Sequence, residues 1–468
     1  MNEKSSGNVV VSPAGRAHGL GEHTHPAGDR SQCEFCRNNR DFSMPRQLYD
    51  AITGGEVVLF AGAGISTEGK PAAVPSLYEQ VCSELKLDPN EGVPFPDVMT
   101  RYCGEVGTRG ELLRLVKSHF DYFSSFPELY KIATRFHREL STIWQLENII
   151  TTNWDTFFED ECAAIPFVGA KDFAFWNMRG RKVFKIHGSI NSLGSMVVTR
   201  QDYKACYARL SKGLLGSSTK MALATKTILF AGFSFHDDDF LRIHRFVRKE
   251  TAGTEPKAYI ITLDENSDTR FRSLGLRPIY TDASYFLARL KQKLVKDDRM
   301  IPDENFDVLP KILFEIINAH DRALTLDAKR YPDVIYCWAY QDGFLHAIER
   351  ILALRKSGYY SHRCNPVNAA RTYEFHLRPA KLRGREYGEV AYIDGYVAGH
   401  LYFLGDDELR RLTPRYYVYR CDDVTRSVTE LRKALRRLRN SHSRAHALAR
   451  RIVGRIAQGV TLHHPPVL

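Results

Sequence analysis

The chain has 468 residues, 43% of them hydrophobic, and 66 Lys and Arg against 55 Asp and Glu give a formal net charge of +11. That apolar content suffices for two domains of ordinary size, each with its own core. No apolar run reaches the roughly 18–20 residues of a membrane span and no apolar secretory core opens the chain, so we expect a cytoplasmic protein with no membrane partner, and nine scattered cysteines fit free thiols in a reducing compartment.

Residues 1–44 are rich in Gly, Ser, His, Asn and Arg and poor in large apolar groups, the composition of a disordered tail. His23, His25, Cys33 and Cys36 are zinc-ligand types, but their spacing is tight and no second pair follows, so no metal is expected there.

Residues 45–296 alternate strands and helices. Gln47–Ile52 leads into a first strand, Val57–Phe60, which runs into Gly62-Ala63-Gly64-Ile65-Ser66. Gly62 and Gly64 lack Cβ atoms, so the backbone can turn tightly and approach a pyrophosphate. The N–H groups of Ala63, Gly64 and Ile65 would face the phosphates, and Ser66 would cap a helix or donate to phosphate. Helical patterns follow at Ser76–Leu87, Gly110–Phe120 and Pro127–Thr142.

A strand at Leu146–Thr151 ends in Thr151-Thr152-Asn153-Trp154-Asp155. Asn153 can orient a ribose hydroxyl or an attacking water, and Asp155 can bond an amide or stabilise developing positive charge. An Asx turn, with both side chains bonding local backbone, is the alternative reading. A strand at Val183–Ile186 delivers His187-Gly188, where a neutral imidazole can accept a proton from a hydroxyl or water. A strand at Thr227–Phe230 opens onto Gly232, Ser234 and Asp237–Asp239, which would complete phosphate and ribose contacts or start the helix expected through Arg248. Strands at Ala258–Leu263 and Pro278–Tyr280 and a helix at Asp282–Val295 close the region. Strands interleaved with helices imply an α/β fold: a Rossmann-like, mostly parallel sheet covered by helices on both faces.

A polar stretch with Pro302 marks a linker at 297–306. Residues 307–468 read as a smaller α+β domain: a helix at Leu309–Asp321, an aromatic stretch at Tyr331–Leu354, strands near Thr372–Leu377, Glu389–Val397 and Tyr416–Tyr419, and a long basic helix from Val428 to Gln458. From Ile351 to Leu468 there are 22 Lys and Arg against 10 Asp and Glu, a net +12. That concentration suits nucleic acid or an acidic protein partner, although a solvated basic helix face explains it equally.

In this order the four strand ends resemble the sirtuin (silent information regulator 2) family over roughly Leu48 to Val295. Gly62–Ser66 matches its phosphate turn, Thr151–Asp155 its Thr-Gln-Asn-Ile-Asp element with Thr152 and Trp154 substituted, His187-Gly188 its His-Gly, and Gly232-Phe233-Ser234 its Gly-Thr-Ser. The resemblance implies NAD+ as substrate, Asn153 and His187 as catalytic residues, and Gly62, Ala63, Gly64, Ser66, Thr152, Asp155, Gly232 and Ser234 lining it. Protein-deacetylating sirtuins carry two Cys-x-x-Cys pairs after His-Gly. Only Cys206 lies in that region here, so no zinc is expected and the acyl-lysine channel is in doubt. Gly232-Phe233-Ser234-Phe235 with Asp239-Phe240 is similar to sirtuin-like domains of bacterial antiphage defence. That likeness implies an NAD+ glycohydrolase that works as a homo-oligomer or with a defence partner, such as a ring-forming ATPase, a short Argonaute or a phage trigger. An ADP-ribosyl transferase or deacylase, and a non-catalytic nucleotide-binding module, remain the competing readings.

Overall fold

A computed structural model describes residues 36–66, 75–233, 257–383, 387–405, 425 and 427–464. The chain divides into two compact units, Met1–Lys296 and Asp297–Leu468.

The first unit is organised by a seven-stranded sheet, every pair of which is parallel. The strands are β1 (Val57–Ala61), β2 (Asn148–Thr151), β3 (Ile165–Phe167), β4 (Lys182–Lys185), β5 (Thr227–Ala231), β6 (Ala258–Thr262) and β7 (Leu276–Tyr280), in the spatial order β3-β4-β2-β1-β5-β6-β7. β1 is central because all five of its side chains are apolar and buried, as a strand covered on both faces requires. Phe60 lies between Ile150 of β2 and Phe230 of β5. The chain builds outward from β1 first through β2 and β4, then on the other side through β5, β6 and β7. The strand order therefore reverses at β1, and the carboxyl ends of β1, β2 and β5 flank the crevice where such sheets receive ligands.

Helices cover this sheet. The covering helices include α1 (Arg46–Thr53), α2 (Leu77–Glu84), α3 (Phe95–Glu105), α4 (Arg109–Ser125), α5 (Pro127–Ala133), α6 (Arg135–Ser141), α7 (Phe157–Cys162), α8 (Arg200–Lys212), α9 (Leu214–Thr225), α10 (Asp268–Ser273) and α11 (Ala283–Lys296). Capping boxes set the starts of α2 (Ser76 with Glu79), α4 (Thr108 with Glu111) and α8 (Thr199 with Asp202). The single helix expected over Pro127–Thr142 is two, because Thr134 (φ −96°, ψ 8°) leaves helical geometry. Strand β3 escapes a periodicity search because it is three residues long and contains Pro166.

Between β4 and β5, where zinc-bearing sirtuins carry paired cysteines, the chain forms α8 and α9. The thiol of Cys206 is buried on α8 and donates to the Ile186 carbonyl at 3.3 Å. The disordered-tail reading fails for residues 36–44, which pack onto α11: Phe42 stacks on Phe286, and the Tyr285 hydroxyl donates to Asp41 at 2.7 Å. Residues 1–35, with His23, His25 and Cys33, lie outside the described residues.

The described elements of the second unit are helices, which corrects the α+β expectation. They comprise α12 (Asp303–Asp307), α13 (Leu309–Leu324), α14 (Val334–Ala353), α15 (Cys364–Arg383), α16 (Tyr387–Leu404), α17 (Val428–Ser441) and α18 (Ser443–Val453). Residues 297–306 belong to this unit and place Ile301 and Phe306 in its core. The Glu389–Val397 stretch has aromatic, β-branched and small residues in sequence, which reads as a strand. It is instead the middle of α16, where every residue from Val390 to Val397 except Asp394 is buried, so no polar stripe marks the helix. There α14 and α16 touch backbone to backbone: a Cβ on Gly343 would lie 2.0 Å from the Tyr392 carbonyl oxygen, and one on Gly395 2.0 Å from that of Tyr340. Thr372–Leu377 is likewise helical, and Tyr416–Tyr419 lies outside the described residues. The long basic helix breaks at His442 into α17 and α18 (φ −133°, ψ 58°). No described helix is long and apolar enough to cross a membrane.

Candidate active site

The turn after β1 and the end of β5 lock together. Gly62 N–H donates to the Ala231 carbonyl and Gly64 N–H to that of Gly232, each at 2.9 Å. A Cβ on Gly62 or Gly64 would lie 2.7 or 2.9 Å from the Gly232 oxygen. Gly232 itself adopts φ +73°, and a Cβ there would sit 2.5 Å from the Ile65 nitrogen. This corrects one expectation. Of the three amides assigned to phosphate, Gly64 N–H is spent on β5 and Ile65 N–H on Gly62 O at 3.3 Å; the Ala63 amide, on the exposed tip, lies outside these bonds. The glycines serve the loop-to-loop contact as well as the turn. Ser234 and Asp237–Asp239 lie outside the described residues.

The ends of β1 and β2 meet through side chains. Thr151 Oγ1 donates to the Ala61 carbonyl at 2.9 Å and accepts the Asn153 N–H at 3.0 Å. This fixes the backbone that presents Asn153. Its side-chain amide donates to Gly62 O at 3.3 Å and to Ser66 Oγ at 3.1 Å. Ser66 then donates to Asp155 Oδ2 at 3.2 Å. Asp155 Oδ1 accepts the Phe157 N–H at 3.1 Å, so the Asx turn is real and coexists with the inter-strand network. Thr152 is half-buried, its N–H reaching Ala61 O at 3.4 Å. The remaining Asn153 atom, Oδ1, is buried and has no hydrogen-bond partner among the described residues. A buried amide oxygen left unsatisfied costs about 1–3 kcal/mol, a cost that a bound hydroxyl or water donating to it would remove.

His187 follows β4, beside β2. The Ile190 N–H donates to the Trp154 carbonyl at 2.9 Å, tying the His187 loop to the Asn153 loop. Gly188 takes φ +88°, and a Cβ there would lie 2.3 Å from the Ser195 carbonyl oxygen, which explains glycine after the histidine. The imidazole is 4% exposed and meets the Tyr203 ring of α8 edge-on at 5.1 Å. Burial, with the Arg209 charge adding to it, pushes its pKa down to about 3, so the ring is neutral at physiological pH.

Two further groups shape the site, and pattern reading misses both. Lys185, fully buried in β4, donates to the Asp155 carbonyl and pairs with Glu159 Oε1 at 2.9 Å. A lysine inside the apolar run Val183–Ile186 was the available signal. Arg181, buried just before β4, donates to the carbonyls of Leu146 and Ile143 at 2.9 Å and of Cys162 at 3.0 Å. It thereby joins the ends of α6 and α7 to the strand that carries His187. Trp154, between Asn153 and Asp155, packs into the α2–α4 cluster with its ring 5.8 Å from Phe95.

The family model described as "SIR2-like domain" matches residues 147–279, from the start of β2 into β7. Curated relatives are similar over part of their length. The "NAD(+) hydrolase ThsA" of Enterococcus faecium is 30% identical over 210 residues, 43% of this chain and 42% of that protein. That of Bacillus cereus (strain MSX-D12) is 26% identical over 277 residues, 56% of this chain and 53% of that protein. The "Defense-associated sirtuin 2" of Bacillus subtilis is 23% identical over 232 residues, 47% and 22% of the two chains. The chain thus spans about half or less of the relatives it matches. Gly62–Ser66 precedes the matched range, yet β1 is hydrogen-bonded between two strands inside it. The parallel sheet, the polar strand-end cluster and the match together show that this chain carries a SIR2-like domain.

Proposed function

We propose that the protein is an NAD+ glycohydrolase of antiphage defence. It cleaves NAD+ to ADP-ribose and nicotinamide and so exhausts the infected cell's supply. The observation that carries this reading is the Asn153 side chain: its NH2 is held by two partners, while its buried oxygen takes no hydrogen bond from the described residues and is open to a donor on the substrate or a water. A ribose hydroxyl or a water supplies that donor.

In the reaction the bond between nicotinamide nitrogen and ribose C1′ breaks, the bonding electrons leave with nicotinamide, and a water oxygen bonds to C1′. Asn153 orients the water or the ribose, and neutral His187 assists by accepting a hydrogen bond from the attacking water, whose proton passes to solvent as the new bond forms. Asp155 lies beside the developing positive charge. Gly62, Ala63, Gly64, Ser66, Thr152, Gly232 and Ser234 line the substrate. The names of the matched relatives support both hydrolysis and a defence role. Helices α8 and α9, standing where zinc-bearing sirtuins place cysteine pairs, favour water over acyl-lysine as acceptor. Activation through a homo-oligomer or a defence partner fits the second unit, whose α17 buries Leu431, Leu435 and Leu438 and leaves Arg432, Arg437 and Arg439 exposed.

The test is incubation of the full chain with NAD+, alone and in lysate from phage-infected cells, with nicotinamide and ADP-ribose both measured. Equal release of the two products, lost in Asn153→Ala, is expected. Undiminished release from that variant, or ADP-ribose found attached to protein instead of free, overturns the reading.

A further inference from the structure

Within the second unit, three side chains distant in sequence converge: His320 of α13, Asp342 of α14, and His463 in the segment after α18. One ligand atom from each lies within 4.8 Å of the other two. Asp342 Oδ1 is 3.6 Å from His320 Nε2 and 3.3 Å from His463 Nδ1.

The His320 tautomer makes this cluster a receptor for a cation, and His463 Nδ1, hydrogen-bonded to Asp342 Oδ1 at 3.3 Å, would release its proton when the ion binds. His320 Nδ1 is 2.9 Å from the Gln341 side-chain oxygen. An amide oxygen only accepts, so Nδ1 carries the proton and Nε2 presents a lone pair. That Nε2 is buried, has no hydrogen-bond partner among the described residues, and belongs to a residue 7% exposed. It faces a carboxylate oxygen: two electron-rich atoms directed at one point in a low-dielectric setting, which is unfavourable with nothing between them. A second-sphere carbonyl that fixes the tautomer of a metal-binding histidine is the usual way such ligands are oriented. Asp342, 5% exposed, is oriented too, its Oδ2 accepting the His464 N–H at 2.8 Å. In tetrahedral coordination with metal–ligand bonds of about 2.1 Å, ligand atoms lie about 3.4 Å apart. The two spacings to Asp342 bracket that value.

We infer that His320, Asp342 and His463 bind a divalent transition-metal ion of the zinc type, with water in the fourth position, and that the ion pins residues 461–464 to α13 and α14. Two imidazoles and one carboxylate suit zinc, and the half-exposed His463 gives the ion an entry path. This site is independent of the NAD+ reading, since it shares no residue with the SIR2-like domain.

The experiment takes the full chain through a chelator and then titrates it with Co(II) and Zn(II). One equivalent of Co(II) is expected to give a visible band of nitrogen and oxygen coordination without a thiolate charge-transfer band, which separates this site from the cysteines. Zn(II) is expected to displace it and to raise Tm. His463→Ala, altering a half-exposed side chain, should keep the fold, lose the band and weaken Zn(II) binding about 100-fold, as should His320→Ala. His464→Ala, which keeps the backbone N–H to Asp342, should retain the band. A wild-type chain that gives no such band, or His463→Ala and His320→Ala variants that keep it, overturns the proposal.

Discussion

Asn153 and Ser66, 87 positions apart, are joined by a 3.1 Å hydrogen bond from the amide of one to the hydroxyl of the other. Ser66 in turn donates a hydrogen bond to Asp155, so the end of β1 holds two residues from the end of β2 in one chain of hydrogen bonds. Removing the first link should act on chemistry more than on folding. Asn153→Ala is expected to lower kcat for nicotinamide release by about 100-fold or more, the scale of losing a preorganised polar group. Ser66→Ala leaves Asn153 in place with one partner gone and should cost about tenfold, a net hydrogen bond of about 1–1.5 kcal/mol. Steady-state NAD+ cleavage by the two variants ranks them; Ser66→Ala falling below Asn153→Ala would sink the assignment.

The Lys185–Glu159 pair should be strongly coupled. Burial pushes the Glu159 carboxyl up while Lys185 opposes it, and the lysine is wholly inaccessible. Lys185→Met strands a buried carboxylate and frees the Asp155 carbonyl, so a loss of about 3–5 kcal/mol is expected. The double variant with Glu159→Gln removes both charges and should recover more than half of it. Chemical denaturation of the single and double variants measures the coupling, and simple additivity would refute it.

Acid should destabilise the fold well above the carboxylate range. Burial lowers His187 to about 3 and His137 and His400 to about 4, against an ordinary value near 6.5. Both nitrogens of His137 are buried and have no hydrogen-bond partner among the described residues. A lowered folded-state pKa means that the unfolded chain binds the proton more tightly. Stability from these groups is therefore complete above about pH 6.5 and falls as the pH drops through 6.5 toward 4, by about 3 kcal/mol per histidine. His137→Phe should flatten that decline with little change at pH 7.5. Denaturation midpoints from pH 8 to pH 4 decide it, and an unchanged slope in the variant counts against the idea.

The α14–α16 crossing should reject even one methyl group. Gly395→Ala places Cβ at 2.0 Å from the Tyr340 oxygen, inside a helix where alanine is otherwise the better residue. The helices must separate, at a cost of about 3 kcal/mol or more. A second unit as stable as wild type by thermal denaturation would show that the crossing adjusts freely.

The sheet is legible because its central strands are short, mostly apolar and bounded by polar turns; Val57–Phe60 and Thr227–Phe230 need no other context. The polar residues of the strand ends could be placed together because parallel strands deliver their carboxyl ends to one edge. Who bonds whom was not legible: Asn153 reaching Gly62 and Ser66 depends on a register that only the pairing of β1 with β2 sets. The second unit was misread for a definite reason. A helix buried around most of its circumference, such as Tyr387–Leu404, loses the polar stripe from which a 3.6-residue period is recognised. Lys185 and Arg181 escape a pattern reading because a charge in or just before a strand is ordinarily at its solvent edge, whereas here backbone carbonyls and Glu159 absorb it.

The contact among Gly62, Gly64 and Gly232 also restricts how this protein can change over time. Each position is closed to larger residues by the backbone of another, so no single exchange at one of them opens room at the next. Variation can reach these loops only by moving both together, whereas the exposed tip at Ala63 is free to drift. A substrate-facing edge assembled this way keeps its shape while its outer lining is retuned.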